Sequence, residues 1–300
     1  MANTFELAQK FLPILDEVYM KESKSSALET RDGVLFTGAN TIKLYETNMD
    51  GLGDYDRQNG FITGDVNGAW NPYTLEIDRG RSFTIDVMDN DETLGMAFGT
   101  LAGEFLRTRV APESDAYTFA KIAGTDGISH GTHDALADIT DATDELDKGI
   151  AQLNEDEVPD TDRLCYVSEK FYQKIQGAIT KSITNTETNV NKTIEVYDGV
   201  QIIRVPQRRF LSAITLYNGK NAQKAGGYVP ASTNYDLHFI MLHKPAVKKV
   251  TKHSVLRIFA PDVNQQADAY KVDYRVYYDA FVMKNKKKGI YFLRSDVANT

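Results

Sequence analysis

The chain has 300 residues, of which 42% are hydrophobic, and a formal net charge of −8. That length suits one large domain or two smaller ones with a real core, and the acidic balance argues against a protein that coats DNA through a broad basic face. Cys165 is the single cysteine, which excludes an intrachain disulfide, and the sequence has no apolar run of about 18 residues that could serve as a transmembrane helix.

Taken in order, residues 3–20 carry an apolar stripe of Phe5, Ala8, Phe11, Leu12, Leu15, Val18 and Tyr19. The spacing predicts a helix that Pro13 kinks or restarts. The segment has neither the basic flank nor the continuous apolar core of a signal peptide. Polar residues 21–31 predict an extended or mobile link. Short strands are expected at 34–36 and 42–45. Residues 48–71 are rich in Gly, Asp and Asn, and a loop that long inside a compact domain is often functional.

Two runs of alternating residues follow Trp70. Tyr73, Leu75 and Ile77 precede Arg79 and Gly80, and Phe83, Ile85 and Val87 come after them. This pattern predicts a β-hairpin turning at Arg79 and Gly80. The period then changes. Leu94, Phe98, Leu101 and Phe105 share one face of a helix, with Asp89, Asp91 and Glu92 at its start and Arg107 and Arg109 at its end, as the helix dipole favours. Residues 110–113, with Pro112, should bend or restart the chain. Ala116, Phe119, Ala120 and Ala123 then continue a helical stripe to Gly124, and a Gly-rich connector runs to Gly131.

Leu136, Ile139, Thr143, Leu146, Ile150 and Leu153 predict the most regular helix of the chain, capped by Asp134 or Thr132. An acidic loop, a buried-type strand at 164–167 and a helix capped by Ser168, with Phe171, Tyr172 and Ile175 facing inward, come next. Residues 179–190 read as a loop. A hairpin is expected around Asp198 and Gly199, then a basic turn at Arg208 and Arg209 and a loop at 219–230. The remainder predicts strands at 237–242, 247–250, 255–259, 270–282 and 289–293. In 270–282, Tyr270, Val272, Tyr274, Val276 and Tyr278 alternate with Lys271, Asp273, Arg275, Tyr277 and Asp279, giving one aromatic and one polar face.

Gly60-Phe61-Ile62, Trp70, the run from Asp78 through Arg79, Gly80, Arg81 and Ser82 to Phe83, and Asp86-Val87-Met88-Asp89 feed the helix. This arrangement resembles the major capsid proteins of tailed bacteriophages. His243-Lys244-Pro245-Ala246-Val247 and Tyr278-Asp279-Ala280-Phe281-Val282, before Gly289-Ile290-Tyr291, extend the resemblance to the end of the sequence. It implies an α+β, Hong Kong 97-type capsid fold. The implied parts are an N-terminal arm (1–33), a peripheral-domain start (34–47), an extended β-hairpin loop (48–90), a spine helix with peripheral domain (91–125), an axial domain (126–240) and peripheral-domain strands (241–300). It also implies a shell of pentamers and hexamers around double-stranded DNA in a virion, assembled in the host cytoplasm and away from membranes. Portal and scaffold proteins are the implied partners, and with no long N-terminal scaffolding segment evident the scaffold is expected to be a separate protein. The N-terminal arm and the extended loop are expected to pack on neighbours, with an ordinary first helix on the chain's own core as the alternative for the N-terminal segment. Arg79, Arg81, Asp54, Asp56, Phe61, Ile62 and Trp70 are the expected inter-subunit contacts, and reversing the charge of Arg79 and Arg81 is expected to spare the protomer. Some shells of the family join an extended-loop lysine to an asparagine of another subunit. No lysine lies between Leu44 and Ala120, so closure is expected to be non-covalent. An encapsulin-type compartment holding protein cargo is the nearest alternative. A β-rich binding module that uses the sixteen tyrosines for stacking is a further one.

Catalytic, cofactor and metal chemistry find little support. His130 and His133, beside Asp134, lack the helical spacing and third ligand of a zinc site. Asp54, Asp56, Gln58 and Gly60 imitate a calcium loop but place Asn59 where glycine is needed. Gly51-Leu52-Gly53 lacks the third glycine of a dinucleotide fingerprint. Cys165 has no basic sequence neighbour to activate it, and no nucleophile elbow or Walker loop occurs. The basic run 284–288 reads as a solvated turn, with a contact to internal DNA or an acidic neighbour as the alternative.

Overall fold

The computed structural model describes residues 23–30, 33–38, 40–58, 60–88, 103–133, 136, 138–185 and 191–299. The helix expected at 3–20, the stripe residues Leu94, Phe98 and Leu101, and the cap candidate Asp134 lie outside these residues.

Residues 34–74 form an antiparallel sheet of β1 (Val34–Thr37), β2 (Thr41–Met49) and β3 (Val66–Thr74) in that order. The long hairpin is therefore β2 with β3, in a register that pairs Tyr45 with Trp70 and Met49 with Val66. Ile42 and Leu44 are fully buried against Leu75, Val250, Phe281 and Met283. Beyond Leu44, none of the described side chains of β2 is buried.

The hairpin expected at Arg79 and Gly80 does not form. Both residues lie inside β4 (Ile77–Asp86), opposite Val276 and Arg275 of a strand at 269–282. Alternation identifies a strand but not its partner, and glycine here has another cause. A Cβ on Gly80 would lie 2.9 Å from the Tyr274 carbonyl oxygen, so the two backbones approach too closely for a side chain. Gly80→Val is expected to pry the strands apart and lower stability by about 1–3 kcal/mol, read from thermal unfolding. An unchanged melting temperature would refute the close approach.

The chain neither bends nor restarts at Pro112. A π-helical stretch, Leu106–Val110, runs directly into α1 (Ala111–Ala123). Ala111 N–H donates to the Leu106 carbonyl, a bond spanning five residues. Pro112 falls in the first turn of α1, where its missing N–H costs nothing.

The largest sheet is built from β5 (Ser129–Thr132), β6 (Arg163–Ser168), β7 (Thr180–Asn185), β8 (Asn191–Tyr197), β9 (Val200–Val205), β12 (Leu237–His243) and β15 (Ile290–Arg294), in the order β5-β15-β12-β6-β9-β8-β7. It lies between two helical layers. Cys165 and Val167 of β6 point to α2 (Ile139–Glu155) and α3 (Glu169–Ile175), where Leu146, Ile150, Leu153 and Phe171 are buried. Leu164 and Tyr166 point the other way, to Phe119 and Ile122 of α1. Ser168 caps α3 as expected, its Oγ accepting from Phe171 N at 3.3 Å. The cap of α2 is Asp138 rather than Asp134 or Thr132. Its Oδ1 accepts from Thr140 N and Asp141 N at 2.9 and 3.1 Å, because β5 takes Thr132. Asp198 and Gly199 turn β8 into β9 with φ of 43° and 77°, as the shortest hairpins require. The expected loop at 179–190 contains β7, which pairs with β8 along its length.

Between β9 and β12 a small hairpin pairs β10 (Ile214–Leu216) with β11 (Tyr228–Pro230). The third sheet has the order β13-β14-β4, from β13 (Val247–Phe259) and β14 (Ala269–Val282). The strands expected at 247–250 and 255–259 are one strand, irregular between Thr251 and His253. Val272, Tyr274, Val276 and Tyr278 of β14 pack with Leu106, Phe105 and Tyr117. The aromatic face of the period-two pattern is thus the face covered by the helix.

Candidate assembly surface

The arm formed by β2 and β3 carries exposed apolar side chains. Among the described residues, ten of the fourteen exposed large hydrophobic side chains lie between Leu35 and Trp70. Phe61 is 89% exposed, Ile62 70% and Trp70 46%. Clustered exposure of this kind marks an interaction surface more often than scattered residues do. The arm is ordered by local contacts. Tyr45 stacks near Trp70 at 5.2 Å and Tyr55 near Phe61 at 4.8 Å, both tilted. The Tyr45 hydroxyl covers Gly68, where a Cβ would come within 2.1 Å of it. At the tip, Asp50 accepts from Asp65 N at 2.9 Å and Asp56 from Gln58 N at 2.8 Å.

Across the arm itself, Glu46 of β2 accepts from Tyr73 Oη at 2.7 Å and Asn71 Nδ2 at 2.8 Å, both of β3. Just beyond β3 the chain is tied to the body. Asp279, fully buried, accepts from Glu76 N at 2.9 Å and Tyr117 Oη at 2.8 Å. Burial pushes the Asp279 carboxyl above its usual range despite these donors. Burial, with Asp279 beside it, pushes the Tyr117 phenol up as well.

Of the seven expected contact residues, Asp54, Asp56, Phe61, Ile62 and Trp70 lie on this arm, and Arg79 and Arg81 do not. Arg79 Nε and one terminal nitrogen clasp Glu113 of α1 at 2.7 and 3.1 Å, and the guanidinium also donates to the carbonyls of Tyr217 at 2.7 Å and Gly227 at 3.3 Å. Arg81 donates to the Lys224 carbonyl at 3.2 Å. Both arginines hold the loop between β10 and β11, so charge reversal at Arg79 is now expected to weaken the protomer as well, where the sequence alone led us to expect it to be spared. Arg79→Ala is expected to cost about 1.5–3 kcal/mol and to speed amide exchange at 217–227. Unchanged exchange there would remove the clamp.

The link expected at 21–31 is fixed to its own chain where it is described. Ser23, Lys24 and Ser25 donate four hydrogen bonds to Asp115 of α1, between 2.7 and 3.0 Å. Arg209 reaches the same carboxylate at 3.2 Å, and buried Lys249 donates to Ser25 Oγ at 2.9 Å. Leu28 is buried nearby, and Thr30 N bonds to the Lys249 carbonyl at 3.0 Å. The sequence holds one clue to Asp115. It lies four residues from both Ala111 and Phe119, on the buried face of α1.

The remaining candidates show no assembled site. His130 stacks on Phe292 at 5.1 Å, and the His133 carbonyl bonds His238 Nε2 at 2.9 Å. Cys165 is buried, which pushes its thiol far up. No group of three metal-ligating side chains occurs among the described residues. Lys287 and Lys288 of the basic run meet the Asp126 carbonyl at 2.7 Å and the Asp156 carboxylate at 3.1 Å.

No protein-family model and no curated protein matches the chain, whereas solved structures do. A structure from Gordonia phage Cozz is 13% identical, with 92% of this chain and 87% of that chain covered and a TM-score of 0.60. The capsid structure of cyanophage P-SCSP1u is 14% identical, with coverage of 89% and 86% and a TM-score of 0.58. A virus-like particle from Pyrococcus furiosus is 11% identical, with coverage of 98% and 100% and a TM-score of 0.54. Sheets, helices and arm together, the chain has the α+β, Hong Kong 97-type capsid fold.

Proposed function

We propose that this chain is the major capsid subunit of a tailed phage or prophage. It assembles through its arm into pentamers and hexamers of an icosahedral shell that encloses double-stranded DNA. The observation that carries this reading is the arm, with its apolar side chains exposed and its base packed on and hydrogen-bonded to the body. A hairpin of that size is marginal alone and gains its burial from a second copy. The role is structural, in a virion assembled in the host cytoplasm with separate scaffold and portal proteins, and no described helix is long and apolar enough to cross a membrane. We place β4, α1, β13 and β14 in the peripheral domain and the seven-stranded sheet in the axial domain, including β15, which the sequence assigned to the peripheral strands at 241–300; the extended loop is confined to β2, β3 and the tip between them. The encapsulin reading draws on the Pyrococcus furiosus particle; the two phage structures, with higher TM-scores, favour the phage head. The test is negative-stain microscopy of purified protein with analysis of particle contents. Closed particles from phage-infected or prophage-bearing cells should hold DNA. Protein cargo would move the assignment to a compartment, and a monomer at every concentration would end the shell reading.

A further inference from the structure

We propose that the acidic tip of the arm docks, in a second copy, on the basic loop between β10 and β11. The proposal rests on the shell reading and names the surface that receives the arm.

The charges are segregated along the chain. Residues 50–65 contain Asp50, Asp54, Asp56 and Asp65 against Arg57 alone. Residues 199–235 contain no acidic residue and five cations, in a chain whose net charge is −8. Two of those five are engaged within the chain, Arg204 with Glu195 at 3.5 Å and Arg209 with Asp115 at 3.2 Å. Arg208, Lys220 and Lys224 are exposed, and among the described residues Lys220 and Lys224 have no carboxylate within ion-pair distance.

The loop is held in one shape before any partner arrives. Arg79 and Arg81 bind its backbone at Tyr217, Gly227 and Lys224. Asn218 N bonds Gln223 Oε1 at 3.0 Å, and Lys220 N bonds Asn218 Oδ1 at 2.8 Å. The lysine stems therefore leave a fixed frame, which lowers the ordering cost of docking. Arg79 and Arg81 are turned onto loop carbonyls, while Arg208, Lys220 and Lys224 are exposed. The four carboxylates of the chain's own tip are the complementary charge, which fixes register while Phe61 and Ile62 supply apolar area.

Two experiments decide the matter. In the first, full-length chains labelled with heavy nitrogen are mixed with unlabelled chains and treated with a water-soluble carbodiimide. The reagent joins a carboxylate to a lysine amine in contact with it as an amide, itself becoming the urea. Mixed-isotope peptides linking 50–65 to 217–227 are expected, and their absence overturns the proposal. This readout needs contact between copies but no closed particles, so it is separate from the microscopy that tests the shell. In the second, Lys220→Glu with Lys224→Glu should leave circular dichroism unchanged and abolish both particles and cross-link. Adding Asp54→Lys with Asp56→Lys should restore both. Particles that persist in the first variant, or loss that the second pair does not restore, overturns the proposal. Intact particles that merely retain less DNA would assign the loop to nucleic acid and overturn it too.

Discussion

Asp115→Ala is expected to destabilise the protomer by about 3–5 kcal/mol, the range for removing one partner from a buried charge cluster. The carboxylate is fully buried and accepts from Ser23, Lys24, Ser25 and Arg209. Removing it strands the serine and backbone donors in the interior and deprives Arg209 of its counter-charge. Ser25 then loses the acceptor that orients its hydroxyl toward Lys249, and residues 23–30 lose their main anchor. Asp115→Asn keeps one acceptor oxygen and should cost less. Chemical unfolding of the three proteins checks the order. If alanine and wild type unfold at the same denaturant concentration, Asp115 is not the anchor, and Leu28 with the Lys249 contacts holds the segment.

Shortening the arm should have the opposite profile, with a sound protomer and no shell. Met49 and Val66 are the last pair of β2 and β3, so residues 50–65 can be replaced by Asn-Gly, the pair preferred in two-residue hairpins. The remaining strands keep their ladder, and Ile42 and Leu44 keep their burial. Protomer melting should therefore match wild type, while sedimentation and microscopy show no closed particles. Particles of normal size and yield from the shortened chain would take the tip out of assembly.

How much of this was legible beforehand depended on the range of the interaction involved. Ser168 capping α3 and the Asp198-Gly199 turn were readable because each depends on residues a few positions apart. The buried alternation of β14 was equally plain. Pairing was not. The strands on either side of Arg79 looked like partners because they are adjacent in sequence, yet β3 joins β2 and β4 joins β14. Gly80 misled for the same reason, since its cause is the Tyr274 carbonyl on a distant strand. Arg79 looked like a free charge until Glu113 and the loop carbonyls were in place around it. At the candidate surface, the acidic and aromatic residues of the arm are legible in sequence because they sit together in one Gly-, Asp- and Asn-rich stretch, 48–71. The sequence marks 219–230 only as a loop, since the arginines that hold it lie more than a hundred residues away.

The pairing of distant strands also sets an order of events during folding. Asp86 pairs with Ala269, and Ser129 with Tyr291, so two of the sheets close only after large stretches of chain have been searched. Such non-local closure slows folding relative to helical proteins of similar size. The arm needs no such search, because Met49 meets Val66 across a single loop. Its apolar residues are thus presented early, while the body that should carry them is still incomplete, and unfinished chains can meet through them. Refolding from denaturant should lose yield as protein concentration rises, and the chain with the Asn-Gly replacement should lose much less. Equal losses in both would place the sticky surface in the unfinished sheets instead.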